Sequence, residues 1–227
     1  MDLLRDNKNM TFHPWTLLYI EAALFSLGVG LLLLRSERKT LSKICLVSLL
    51  FIISAWAVLD FVNNFLDDTV TSTLILKLEF IILGFVSVLF FLIPYIMRHK
   101  INNKILVLFT IPIILAYIVL FVDDFATTEY LTYGYHINYN IPAVVTWSAV
   151  YIATLASGFY LFYKIYSDTL ITGELKNKIK YFCAGSAIAG VMAFGLNIFL
   201  IILYDIPPLG SIFTSIGVGI VFLCFKL

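Results

Sequence analysis

The feature that most constrains this chain is a succession of seven runs of about twenty mainly apolar residues, the length an α-helix needs to cross the hydrocarbon core of a bilayer. They extend over Pro14 to Leu34, Leu41 to Phe65, Leu74 to Met97, Ile105 to Val122, Ile141 to Tyr163, Tyr181 to Tyr204 and Leu209 to Phe225. None alternates strictly between polar and apolar residues, and each is about twice as long as a membrane β-strand requires. The expected fold is all-α: a polytopic membrane protein folded as one seven-transmembrane-helix bundle over residues 1–227. Composition agrees, because 61% of the residues are hydrophobic and only 13% are charged. A soluble domain of this size would leave about a quarter or more of its surface in water, and the polar residues to cover it are missing. Fifteen basic residues against fourteen acidic ones give a net charge of +1. No basic surplus exists to neutralise nucleic-acid phosphates, so that partner class is excluded.

The basic residues set an expected orientation, since Lys and Arg near span ends stay in the cytoplasm. Twelve of the fifteen fall on one side: Arg35, Arg38, Lys39, Lys43, Arg98, Lys100, Lys104, Lys164, Lys176, Lys178, Lys180 and Lys226. The amino terminus is then outside and the carboxyl terminus cytoplasmic, in a multi-pass protein of the cell membrane. Asp2, Asp6, Asp67, Asp68, Asp123, Asp124, Glu129 and Asp205 all fall at the opposite, outer face. A polar start followed by a full-length span predicts that the first span serves as its own insertion signal rather than as a cleaved signal peptide. Cys45, Cys183 and Cys224 lie near cytoplasmic ends, so no disulfide is expected. Between the fourth and fifth spans, the segment Thr127 to Asn140 carries five aromatic or histidine rings around Gly134 and reads as a β-hairpin or ordered cap.

Several chemistries lack their residues. A retinal protein needs a mid-span lysine, and the seventh span has none before Lys226. A zinc protease needs two histidines one helical turn apart with a glutamate, which His13, His99 and His136 do not supply. A metal site from His13, His136 and the outer aspartates lacks ligand spacing, and the aspartate pairs read more simply as solvated loop charges. With no phosphate-binding glycine loop and no Ser or Cys beside a His, neither an enzyme nor a cofactor is expected.

Ionisable residues inside spans are costly and tend to face a bundle interior. Glu21, Asp60 and Glu79 all fall roughly 8–10 Å below the outer span ends, with Lys77 slightly above and Asn197 in the same layer. Trp56, Asp60 and Asn64 recur every four residues, on one face of the second span. Gly185, Ala189, Ala193 and Asn197 form a small-residue stripe on the sixth, and Ser211, Ser215 and Gly219 a similar seam on the seventh. Lys77 and Glu79, two residues apart, point in different directions. Three acids against one lysine leave an imbalance that helix registration alone does not require. The expected ligand-contacting set is Glu21, Trp56, Asp60, Asn64 and Lys77, together with Glu79, Tyr135, Trp147 and Asn197.

In order and spacing, these motifs resemble the seven-helix amino-terminal sensor region of membrane histidine kinases. The features are Ser54-Ala55-Trp56-Ala57 in the second span, Lys77-Leu78-Glu79-Phe80 opening the third, Tyr133-Gly134-Tyr135 before the fifth, Asn197 in the sixth and Asp205-Ile206-Pro207-Pro208-Leu209 entering the seventh. The resemblance covers essentially all seven spans. It implies a receptor for an extracellular or membrane-borne signal whose last helix leads to a cytoplasmic output. The sequence stops at Lys226-Leu227 before any phospho-accepting histidine helix or ATP-binding domain, which is expected either of a sensor fragment or of a module that works through a separate partner. The expected partners are therefore the lipid bilayer, an unidentified small-molecule ligand, a kinase or other output partner in the cytoplasm or membrane, and a second copy of the chain as a homodimer. The alternative is a small transporter with parallel three-helix repeats, suggested by the echo of Asn64-Phe65-Leu66 in Asn197-Ile198-Phe199-Leu200.

Overall fold

A computed structural model describes residues 16–35, 40–66, 68–98, 110–131, 134–194 and 210–226. The chain is mostly helical. Among the described residues are α1 (Thr16–Arg35), α2 (Leu41–Asn63), α3 (Thr69–Arg98), α4 (Thr110–Phe121), strands β1 (Ala126–Leu131) and β2 (Gly134–Tyr139), α5 (Ile141–Tyr166), α6 (Gly173–Phe194) and α7 (Gly210–Lys226). α1, α2, α3 and α5 are long and apolar enough to cross a membrane. The expectation of seven spans is thus met in four helices. Within the described residues the other three are not both long and apolar enough. α4 has 12 described residues and α7 has 17. α6 begins in the polar segment, where Glu174 pairs with Lys178 one turn on, and the apolar run that would complete it lies outside the described residues.

Side chains cap the helices where the sequence supplies them. Thr40 accepts from the Lys43 amide at the start of α2. Asn140 accepts from the Ala143 amide at the start of α5, with Pro142 in the first turn. Asp68 accepts from the amides of Val70 and Thr71, which starts α3 five residues before its apolar run. Asp124 takes a positive φ of 52° in the turn that leads from α4 to β1, a conformation that aspartate tolerates better than most residues.

Packing follows a closed circuit: α1 lies against α2, α2 against α3, α3 against α5, α5 against α6, α6 against α7 and α7 back against α1. α4 rests on α3 and α5 outside this ring. β1 and β2 pair antiparallel from Ala126↔Tyr139 to Leu131↔Gly134, and β1 packs on α3. The expected hairpin is therefore present, shifted by one residue toward the amino terminus at both ends.

Two apolar clusters fill the bundle. One, at the hairpin end, sets Phe125, Ala126 and Ile137 of the hairpin region against Phe80, Leu115 and Trp147. The other runs through the far half, around Leu50, Phe90, Phe162, Phe182 and Val221. Their floors differ. Phe80 meets Phe125, Tyr139 and Trp147 edge-on, whereas Phe90 packs among Phe159, Phe162 and Phe182.

Candidate functional site

Helix period carries Trp56, Asp60 and Asn64 down one face of α2, and the structure turns that face inward. Trp56 and Asp60 are fully buried and Asn64 is half-buried. The Asn64 side-chain amide donates to the Asp60 carbonyl oxygen at 2.7 Å, closing the last turn. Across from them on α3, Glu79 is buried at 4% exposure, while Lys77, two residues earlier, is half-buried on another face. The Asp60 and Glu79 side chains lie within hydrogen-bonding reach of each other. A hydrogen bond between two carboxyls needs one proton, since a carboxylate only accepts. Glu79 Oε1 is buried without a hydrogen-bond partner among the described residues. No ion pair among those residues joins Lys77 to either acid.

Other groups complete the cluster. Tyr19 of α1 is fully buried, hydrogen bonds the Asn64 side chain and lies in electrostatic reach of Asp60 and Glu79. Ser72 Oγ donates to Asn63 Oδ1 at 2.7 Å, tying α3 to α2, and Ser54 Oγ donates to the Ala23 carbonyl at 2.8 Å, tying α2 to α1. The hairpin is fastened over this layer: the Thr128 hydroxyl donates to the Thr69 carbonyl at 3.0 Å, and the Thr128 amide donates to Thr73 Oγ1 at 3.1 Å. Tyr139 of β2 faces the acids from the hairpin side. Burial pushes its phenol up, and negative charge on the Glu79–Asp60 pair pushes it further.

The expected set thus divides. Trp56, Asp60, Asn64 and Glu79 come together. Trp147 is fully buried in the neighbouring aromatic cluster, stacked on Tyr151 with centroids 5.1 Å apart. Glu21 is exposed on α1 and does not join the interior layer; Tyr19, two residues earlier, occupies that place. Tyr135 pairs with Tyr130 in the hairpin backbone. Asn197 lies outside the described residues. Sequence reading missed Tyr19, Asn63, Ser72 and Tyr139, all uncharged and therefore without the cost signal that marks a buried acid.

Below the polar cluster, toward the opposite end, lies a cavity of about 70 Å³ walled by α2, α3, α5, α6 and α7. Trp56 sits at its upper end, one turn from Asp60. Its other walls include Leu50, Phe90, Tyr151, Gly190 and Val221, and none of the lining residues is charged. The small-residue stripe of α6 meets α7 beside it. A Cβ at Gly185 would come 2.7 Å from the Gly217 carbonyl oxygen, so the two helices touch backbone to backbone. The seam on α7 therefore passes through Gly217, and Gly219 instead faces the Phe25 ring of α1. Among the described residues no group of three or more His, Cys, Asp or Glu could hold a metal ion. No known protein family matches the sequence, and no curated protein is significantly similar to it.

Proposed function

We propose that this chain is a membrane-embedded receptor module: seven spans, amino terminus outside and carboxyl terminus cytoplasmic. It responds to a small extracellular or membrane-borne ligand and relays that event through α7 toward a cytoplasmic output. One observation carries the reading. The cavity is walled at once by α2, which bears the buried acid, and by α7, the last helix, so an occupant touches both. A ligand that fits one arrangement of those walls better than another shifts the population between them. The motif resemblance to the sensor region of membrane histidine kinases points the same way, and the signal then leaves by the inner end of α7.

The transporter reading has less support. Parallel three-helix repeats would make the pairing of α1 with α2 recur in α5 with α6, yet among the described residues the first pair packs extensively and the second touches sparsely.

The test is a distance between spin labels at the inner ends of α2 and α7 in the reconstituted native protein, with and without candidate ligands, and in Glu79→Gln. A change in either comparison is the expected result. An unchanged distance throughout, or substrate uptake into proteoliposomes, overturns the receptor reading.

A further inference from the structure

Above the cavity, two acids on neighbouring helices occupy one buried place. Asp60 of α2 is 0% exposed and Glu79 of α3 is 4% exposed, and their side chains lie within hydrogen-bonding reach of each other. Two carboxylates held that close and away from water cannot both be ionised, so the pair keeps one proton between them. A second observation points to the same ligand. Glu79 Oε1 is buried with no hydrogen-bond partner among the described residues, an acceptor left open where a donor belongs.

Among the described residues, no charged side chain on the surrounding elements faces the pair. Lys77 of α3 is half-buried on another face. α1 offers the phenol of Tyr19, while its acid, Glu21, is exposed. The hairpin, packed on α3 through β1, offers the phenol of Tyr139, and Glu129 of β1 is exposed. Tyr151 of α5 is stacked on Trp147 in the aromatic cluster. α4 carries only Tyr117, which is exposed, and α7 carries no ionisable side chain from Gly210 to Leu223.

We propose that the Asp60–Glu79 pair is a proton-binding site, which holds one proton per chain between the two carboxyls and exchanges it with water on the outer side. The ligand is the proton itself. It needs no cavity, and neither acid lines the one below. Asp60 lies within one turn of the end of α2 at Asn63, beneath the hairpin, so the short way to water is at that end. Release of the proton leaves two like charges in contact across the joint between α2 and α3. The site goes beyond the receptor reading and stands whether or not α7 moves; only the word outer borrows the orientation proposed above.

The experiment follows the infrared carbonyl stretch of protonated carboxyls in the full chain reconstituted into vesicles. At neutral pH, where exposed acids have ionised, the native protein should retain such a band, and it should shift in heavy water. Glu79→Gln and Asp60→Asn should each abolish it, because the new amide donates to the remaining carboxylate, which then needs no proton. Glu21→Gln, at the exposed acid of α1, should leave it intact. Raising the outer pH with the inner pH clamped should remove the native band, and raising the inner pH alone should not. A native protein without the band at neutral pH, survival of the band in either folded amide variant, or loss driven only from the inner side overturns the inference. The native arms need no substitution, so they decide even where an amide variant fails to fold.

Discussion

The hairpin end and the α6–α7 seam hold helices together by different means. At the hairpin end the contacts are directional: Ser72 to Asn63, Thr128 to the Thr69 carbonyl, Tyr19 to Asn64, and the edge-on rings around Phe80. At the seam there is no polar link between Gly185 and Gly217, only two backbones brought into contact by the absence of side chains. Inside a bilayer the lipid tails are as apolar as leucine, so helix association falls to interhelical hydrogen bonds and to close packing of small residues. This protein uses one device at each place. Hydrogen bonds fix a register, whereas a smooth glycine contact permits the small translations and rotations by which packed helices switch. The difference sets directional bonds at the hairpin end against close backbone packing at the α6–α7 seam.

The comparison is most sharply tested at the seam. A Cβ at Gly217 would lie 2.6 Å from the Ala189 Cβ and closer still to the Gly185 carbonyl oxygen. Gly217→Ala should cost about 1–3 kcal/mol by forcing α6 and α7 apart. Gly219→Ala is the control, because its new Cβ would meet the Phe25 ring at an ordinary 3.6 Å. Thermal unfolding in detergent reads both. Equal losses from the two substitutions would mean that the seam is no tighter than its surroundings.

At the other end, Ser72→Ala removes the donor from the buried Asn63 Oδ1. The expected loss is about 0.5–1.5 kcal/mol, toward the lower figure if membrane-protein averages of about 0.6 hold. The same unfolding measurement checks it. A cost above that of Gly217→Ala would reverse the assignment of the tighter joint.

These two regions were unequally legible in the sequence. The inward face of α2 was readable because residues four apart must share a face, and Trp56, Asp60 and Asn64 do. The opposite fates of Glu79 and Lys77 follow from the same geometry at an offset of two. On α1 the inference failed: Glu21 is exposed and Tyr19 buried. That helix is apolar on all sides, so its pattern holds no period that marks the inward face, and a charge reports a cost without reporting a direction. The α7 seam failed similarly, since Ser215, Gly217 and Gly219 are all small and only a partner helix distinguishes them. The hairpin was visible in its ring-rich alternation around Gly134. The cavity was not, because five separate helices build it and no single segment carries its signature.

The smallest expected effect lies where the hairpin end meets water. Asp68, fully exposed, accepts from the Thr71 hydroxyl and from the amides of Thr71 and Val70, and these bonds hold its carboxyl below its ordinary value. A native value below the unfolded one means that the unfolded chain takes up the proton more readily. The cap's contribution is then fully present above the ordinary carboxyl value of about 3.9 and is lost as pH falls through the lowered native value. Solvent and salt screen an exposed carboxylate, so the loss should stay local to the first turn of α3 rather than unfold the bundle. Amide-exchange protection at Val70 and Thr71, referenced to an unstructured peptide, should fall over that acid range while protection near Phe80 holds. Asp68→Asn keeps an acceptor for the cap without a titrating proton, so its protection should not vary across the same range. If the native protein and Asp68→Asn respond identically to acid, Asp68 does not set the start of α3, and the anchoring of the hairpin end rests on its buried bonds alone.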